Sequence, residues 1–125
     1  MAEYDEEKEV GGVNMNKTIS YDEDNDILSI HKGFSADEKF KGNVDVGELI
    51  LDVSTQGRIR GIEVINATEF LKEFKIDKTI LENISDANFS ASIKPNRIVI
   101  GIVIKSKNIE IPAMIAVPLA VPTHF

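Results

Sequence analysis

The sequence predicts an α+β fold, predominantly antiparallel β with two short helices in mid-chain and built as a single domain, on three observations. Apolar residues recur at every second position over most of the chain, as at Ala87, Phe89, Ala91 and Ile93, which is the period of a strand with one buried face. Short clusters of Asp, Asn, Ser, Gly and Pro separate these runs at hairpin spacing. Helix start signals occur as one adjacent pair, at Asn66 and Asp77. Aromatic residues make up 6% of the 125 and Trp is absent, so Ile, Val and Leu must supply the single core expected at this length.

The first hairpin pairs Ile19 and Tyr21 with Leu28 and Ile30 across the turn Glu23-Asp24-Asn25-Asp26. Setting Tyr21 against Leu28 puts all four on one face and leaves Thr18, Ser20, Ser29 and His31 toward water. Residues 32–47 read as a looser link that Phe34 and Phe40 pin to the body, with room for a short strand at 43–46. A second hairpin runs over 48–53 and 58–65 around Ser54-Thr55-Gln56-Gly57. A bulge at Gly57 sets Asp52 beside Arg60 and gathers Leu49, Leu51, Val53, Ile59 and Ile65 on one face. A four-residue loop instead opposes Glu48 to Glu63, and like charges directly opposite are unfavourable, which favours the bulge.

Asn66 is placed to cap the first helix, with Glu69 at its third position, Ile65 stapled to Phe70, and Phe70, Leu71 and Phe74 buried. Asp77 caps the second, where Ile76 staples Leu81, Ile80, Leu81 and Ile84 face the core, and Ser85 and Asp86 end the run. Both are too short to stand without docking on the sheet. Three strands complete a total of about seven: 87–93, then 97–105, apolar on both faces like a central strand, then 109–117, whose Pro112 and following Pro118 mark it as an edge.

Charge is uneven. Residues 1–26 hold nine acids and two lysines, whereas the rest balances twelve acids with twelve Lys and Arg, so the net charge of −7 resides at one end. Residues 1–16 join that run to paired glycines without periodicity and read as a disordered acidic tail, leaving 17–125 as the domain. An acidic arm on a neutral body repels phosphate backbones, which argues against nucleic acid as a partner. The apolar stretch 109–121 is too short and too proline-broken to span a bilayer, so no membrane partner is expected. The absence of cysteine removes disulfides and thiol chemistry, and no signal-peptide pattern is visible, so a cytoplasmic location is the expectation.

Two patterns together resemble a domain-of-unknown-function family of small prokaryotic proteins. One is Tyr21-Asp22, Asp26 and the apolar strand that follows; the other is Leu51-Asp52, Gly57 and Gly61-Ile62-Glu63-Val64-Ile65-Asn66-Ala67. The resemblance covers about residues 18–71, with 17–74 the family-like part and 75–125 an extension, and it implies no activity. Some members of that family look as though they are encoded beside small toxin-like proteins, which implies an antitoxin-like role by analogy. Ser29 departs from the family, where an aromatic residue is frequent.

Four sets of residues are candidates for chemistry or recognition. Asp22, Asp24 and Asp26 alternate like the start of a calcium loop, but Ile27 stands where that motif needs glycine and Gly33 where it needs a bidentate Glu, so a solvated turn is the plainer reading. Asp52 and Glu63 lie on adjacent strands, as paired carboxylates that divide acid and base work do, although the bulged register puts them on opposite faces. His31 and His124 have no neighbour at ligand spacing and read as surface residues. The last apolar strand, with Ile109, Ile111, Met114, Ile115 and Val117, is the candidate interaction surface.

With no reactive constellation and no cofactor implied, the leading expectation is a non-catalytic module that associates with itself or with another protein. A small-ligand or weak metal-binding protein using the acidic turn is the second reading, and an enzyme using Asp52 and Glu63 the third.

Overall fold

The computed structural model describes residues 17–118. The expected tail at 1–16 and His124 lie outside the described residues. Within them the chain forms eight strands rather than about seven: β1 (Thr18–Asp22), β2 (Ile27–His31), β3 (Phe40–Val46), β4 (Leu49–Ser54), β5 (Ile59–Ile65), β6 (Ile84–Ile93), β7 (Arg97–Ser106) and β8 (Ile109–Pro118). Two short helices, α1 (Ala67–Phe70) and α2 (Lys78–Glu82), with a 3-10 turn at Lys72–Phe74 between them, separate β5 from β6. All pairings are antiparallel, in one five-stranded sheet of order β1-β2-β5-β4-β3 and one three-stranded sheet of order β6-β7-β8.

The extra strand is β3, which the sequence reading allowed only as a fragment. Its alternation is muted because it is an edge strand: Val44 and Val46 face inward while Lys41, Asn43 and Asp45 are exposed. The expected edge position of the prolines also holds, since β8 closes the smaller sheet on one side. β7 is its centre, but only Ile98, Ile100, Ile102 and Ile104 are fully buried; Val99 and Val103 on the other face stay half-exposed.

Both sheets contribute to one hydrophobic cluster. Leu28, Ile30, Leu49, Leu51, Ile62 and Val64 from the larger sheet meet Ala87, Phe89 and the β7 isoleucines, with Leu71, Ile76 and Leu81 contributed by the helical segment. Aliphatic packing of this kind is the dominant favourable term in holding the layers together. The first hairpin has the expected register, Tyr21 opposite Leu28 and Ile19 opposite Ile30.

The second hairpin departs from expectation. Gly57 does take a positive φ of 76°, but the bulge falls one step further on, so that Val53 pairs with Ile59, Asp52 pairs with Gly61 and Arg60 is the extra residue. The shift reverses the parity of β5. Ile62 and Val64 now face the core, whereas Ile65, expected there, points to the opposite face. Glu63 lies opposite Ile50, so the like-charge pairing is avoided by a different route.

The helix ends also differ. Asp77 accepts from the Ile80 N–H at 3.0 Å as expected. Asn66, by contrast, sits in the left-handed region at φ 52° and makes no capping bond; its side chain donates to Glu48 instead. Ser85 and Asp86 do not close α2 but already belong to β6.

Candidate functional site

The three aspartates of the first turn are occupied with the fold itself. Asp22 accepts from the backbone N–H groups of Asp24 and Asn25, both at 3.1 Å, and from the Asn25 side chain at 2.8 Å. These bonds, the Asn25 side chain's above all, hold its carboxyl below the usual carboxylate range. Asp26, at φ 56°, receives the Tyr21 hydroxyl at 2.7 Å and the Thr68 hydroxyl at 2.7 Å, while its carbonyl accepts the Ala67 N–H. Its carboxyl also accepts the N–H of Thr68, 42 residues downstream, and thereby caps α1 in the place expected for Asn66. Burial pushes the Asp26 carboxyl up, but the bonds from Thr68 and Tyr21 outweigh it and the net shift is downward. Asp24 points elsewhere into solvent, and among the described residues no group of three His, Cys, Asp or Glu is arranged to hold a metal ion.

A second constellation escaped sequence reasoning entirely. Glu38 and Arg60 have fully buried side chains, with Arg60 Nε 2.9 Å from Glu38 Oε2. Glu38 also accepts from the Ser54 hydroxyl at 2.7 Å and from the Ser35 N–H at 2.9 Å, and lies 3.2 Å from Arg58 Nη1. Arg60 Nε donates to the Gly33 carbonyl at 2.7 Å. The link at 32–39 is therefore fastened by charge as well as by Phe34, which packs on His31, whereas Phe40 is 52% exposed and pins little. The available signal was Arg60 standing between Ile59 and Gly61-Ile62, inside an otherwise apolar strand.

The outer face of the larger sheet carries the third arrangement. Register aligns Thr18, His31, Gly61, Asp52 and Asn43 in one row across all five strands. Gly61 has no side chain to separate its neighbours, so His31 Nε2 comes within 3.7 Å of Asp52 Oδ2 above it. His31 Nδ1 accepts the Gly33 N–H at 2.8 Å, which leaves Nε2 on the side of Asp52. Asn43 donates to the other Asp52 oxygen. His31 is thus half-buried against Phe34, at a ring-centroid distance of 5.0 Å, and not a free surface residue. Asp52, expected beside Arg60, is held by Asn43 and His31.

The bulge at Arg60 also puts Asp52 and Glu63 on the same face, contrary to expectation. They are diagonal neighbours, since Asp52 opposes Gly61 and Glu63 opposes Ile50. Among the described residues no contact joins the two carboxyls; those of Asp52 are to Asn43 and His31.

The C-terminal strip divides by parity. Ile115 is 8% exposed and belongs to the core, and Ile111 and Val117 pack against it, so these three are not free interaction residues. Alternation sends the other set outward: Met114 is 67% exposed, with Pro112 and Ala116 beside it on β8 and Val103 and Val99 across from them on β7. Ile109, at the start of the strand, is 53% exposed. Gly101 allows Met114 to lie flat across β7, its Cε 3.5 Å from where a Cβ would stand. Beyond this face a cleft of about 750 Å³ opens between β8 and the helical segment, floored by Phe70 and Phe74 and rimmed by Glu48, Glu69 and Glu73.

A family model described as a protein of unknown function (DUF2283) matches residues 18–67, fewer than half of the 125, so the chain is similar to that family over β1 to β5. No curated protein and no solved structure matches the chain.

Proposed function

We propose that this protein is a non-catalytic interaction module that holds a polypeptide partner along β8. The observation that carries the reading is Met114: a large apolar side chain 67% exposed on an edge strand, amid Pro112, Ala116, Val99 and Val103. A contiguous apolar face of that kind is what a soluble domain keeps for a partner, and an edge strand offers unpaired backbone groups to a peptide that adds to the sheet. Among the described residues the carboxylates of Asp26, Glu38 and Asp52 are engaged within the fold, which supports a non-catalytic reading. Asp26 is committed to the start of α1, Glu38 to Arg60, and Asp52 to Asn43 and His31.

A photo-crosslinking side chain introduced at Met114, with Ser20 on the exposed face of β1 as the control, tests this in living cells. An adduct of defined mass through position 114 and none through position 20 is expected. Equal labelling at both positions, or none at either, would remove the reading.

A further inference from the structure

We infer that the cleft beside β8 receives an extended basic segment of another protein, with Lys or Arg flanking apolar side chains, and not a second copy of this chain. The inference rests on the β8 interaction reading and names its partner. Met114, Ile115, Ala116, Val117 and Pro118 all line the cleft. A strand face shows only alternate residues, so five consecutive residues on one wall mean that the strand's open edge forms it. Proline fits an unbroken ladder where its nitrogen turns away from the neighbouring strand. Pro112 and Pro118 share the parity of Met114 and Ala116 in a pairing with no register shift. The N–H groups of Met114 and Ala116 therefore face the cleft, and among the described residues no strand pairs with them there.

The charge around that edge selects the occupant. Glu48, Glu69 and Glu73 line the cleft and no Lys or Arg does. Glu69 has only an exposed contact with Lys72 at 3.6 Å, the kind of pair that contributes little and yields to a competitor. Glu73 has no ion-pair partner among the described residues. A second copy docked edge to edge would bring two such rims together, and like charges at an interface oppose association. A cationic partner meets the opposite situation at the rim of Glu48, Glu69 and Glu73. Phe70 and Phe74 on the floor accept the apolar side chains between the cations. An edge of five residues spans about 17 Å, so a peptide of roughly five to seven residues fills it.

The test is a fluorescence anisotropy titration of the full chain with three dye-labelled peptides of about seven residues, alternating valine with lysine, with serine or with glutamate. The lysine peptide is expected to bind saturably and to weaken at least tenfold in the Glu69→Gln/Glu73→Gln variant and at higher salt. In Ala116→Pro, which removes one edge N–H, binding should be lost while the unfolding midpoint in urea is kept. If the serine peptide binds as tightly as the lysine peptide and Ala116→Pro abolishes both, the β8 reading stands and the basic partner is wrong. Failure of all three peptides, or indifference of the lysine peptide to both variants, overturns the proposal. So does a concentration-dependent dimer by light scattering that Ala116→Pro dissociates. A lysine peptide that binds only after residues 119–125 are removed would assign the cleft to the chain's own end and equally overturn it.

Discussion

Arg60 and Glu38 form an ion pair at 2.9 Å with no side-chain exposure on either partner. A buried pair is tolerated only while both charges and their remaining hydrogen bonds are satisfied, and removing one partner leaves the other uncompensated at a cost of about 3–5 kcal/mol. Glu38→Gln and Arg60→Met should each lower stability to urea by that order, and the double change by less than their sum because they act on one network. Additive losses would show that the pair is not what fastens residues 32–39 to the sheet.

Asp26 and Tyr21 give the stability a pH profile with two limbs. The Asp26 carboxyl lies below the ordinary aspartate value, so its contribution is complete above that pH and is lost as pH falls through the folded value. Tyr21 is displaced the opposite way, raised above 10.0 chiefly by burial and then by its bond to Asp26, so stability declines as pH rises past 10.0, where only the unfolded chain ionises. Asp26→Asn, which retains the positive φ, should flatten the acid limb and cost about 1–3 kcal/mol at neutral pH. Tyr21→Phe should flatten the alkaline limb. Urea midpoints measured between pH 2 and 11 check both, and unchanged limbs would contradict the assignment.

Gly61 is required by its neighbours rather than by its own backbone. A Cβ there would overlap the His31 ring and stand 2.8 Å from Asp52 Oδ2. Gly61→Ala should cost about 1–3 kcal/mol, the usual range for overpacking. Adding His31→Ala should restore part of the loss, and a double-mutant cycle in thermal unfolding reads the coupling directly. A cycle with no coupling would mean that the two groups do not meet.

The part of the chain similar to the family does not close its own core. Leu28, Leu49, Leu51 and Val64 are fully buried in one cluster that Ala87, Phe89 and the β7 isoleucines help to close. A fragment of residues 1–74 should therefore lose cooperative unfolding, bind a hydrophobic dye, and leave the monomer position on sizing. A monomeric fragment with a sharp transition would show instead that the two sheets are separable units.

Local pattern determined a good deal about this protein. The period-2 alternation, the Tyr21–Leu28 register, the Asp77 cap and the edge character of the proline-bearing β8 follow from forces acting over a few residues, and these were legible along the chain. What only the tertiary structure decided are relations between distant segments. The bulge lies at Arg60 rather than Gly57, where the Arg60 side chain meets Glu38, and one residue of slip exchanges the faces of Ile65 and Val64. Asp26 displaced Asn66 as the cap because the first hairpin lies against the start of α1. The His31–Asp52 approach exists because strands far apart in sequence align over a glycine. Alternation shows that a strand has two faces; which of them is covered depends on the layer that arrives from elsewhere, and for β8 that divided Ile115 from Met114.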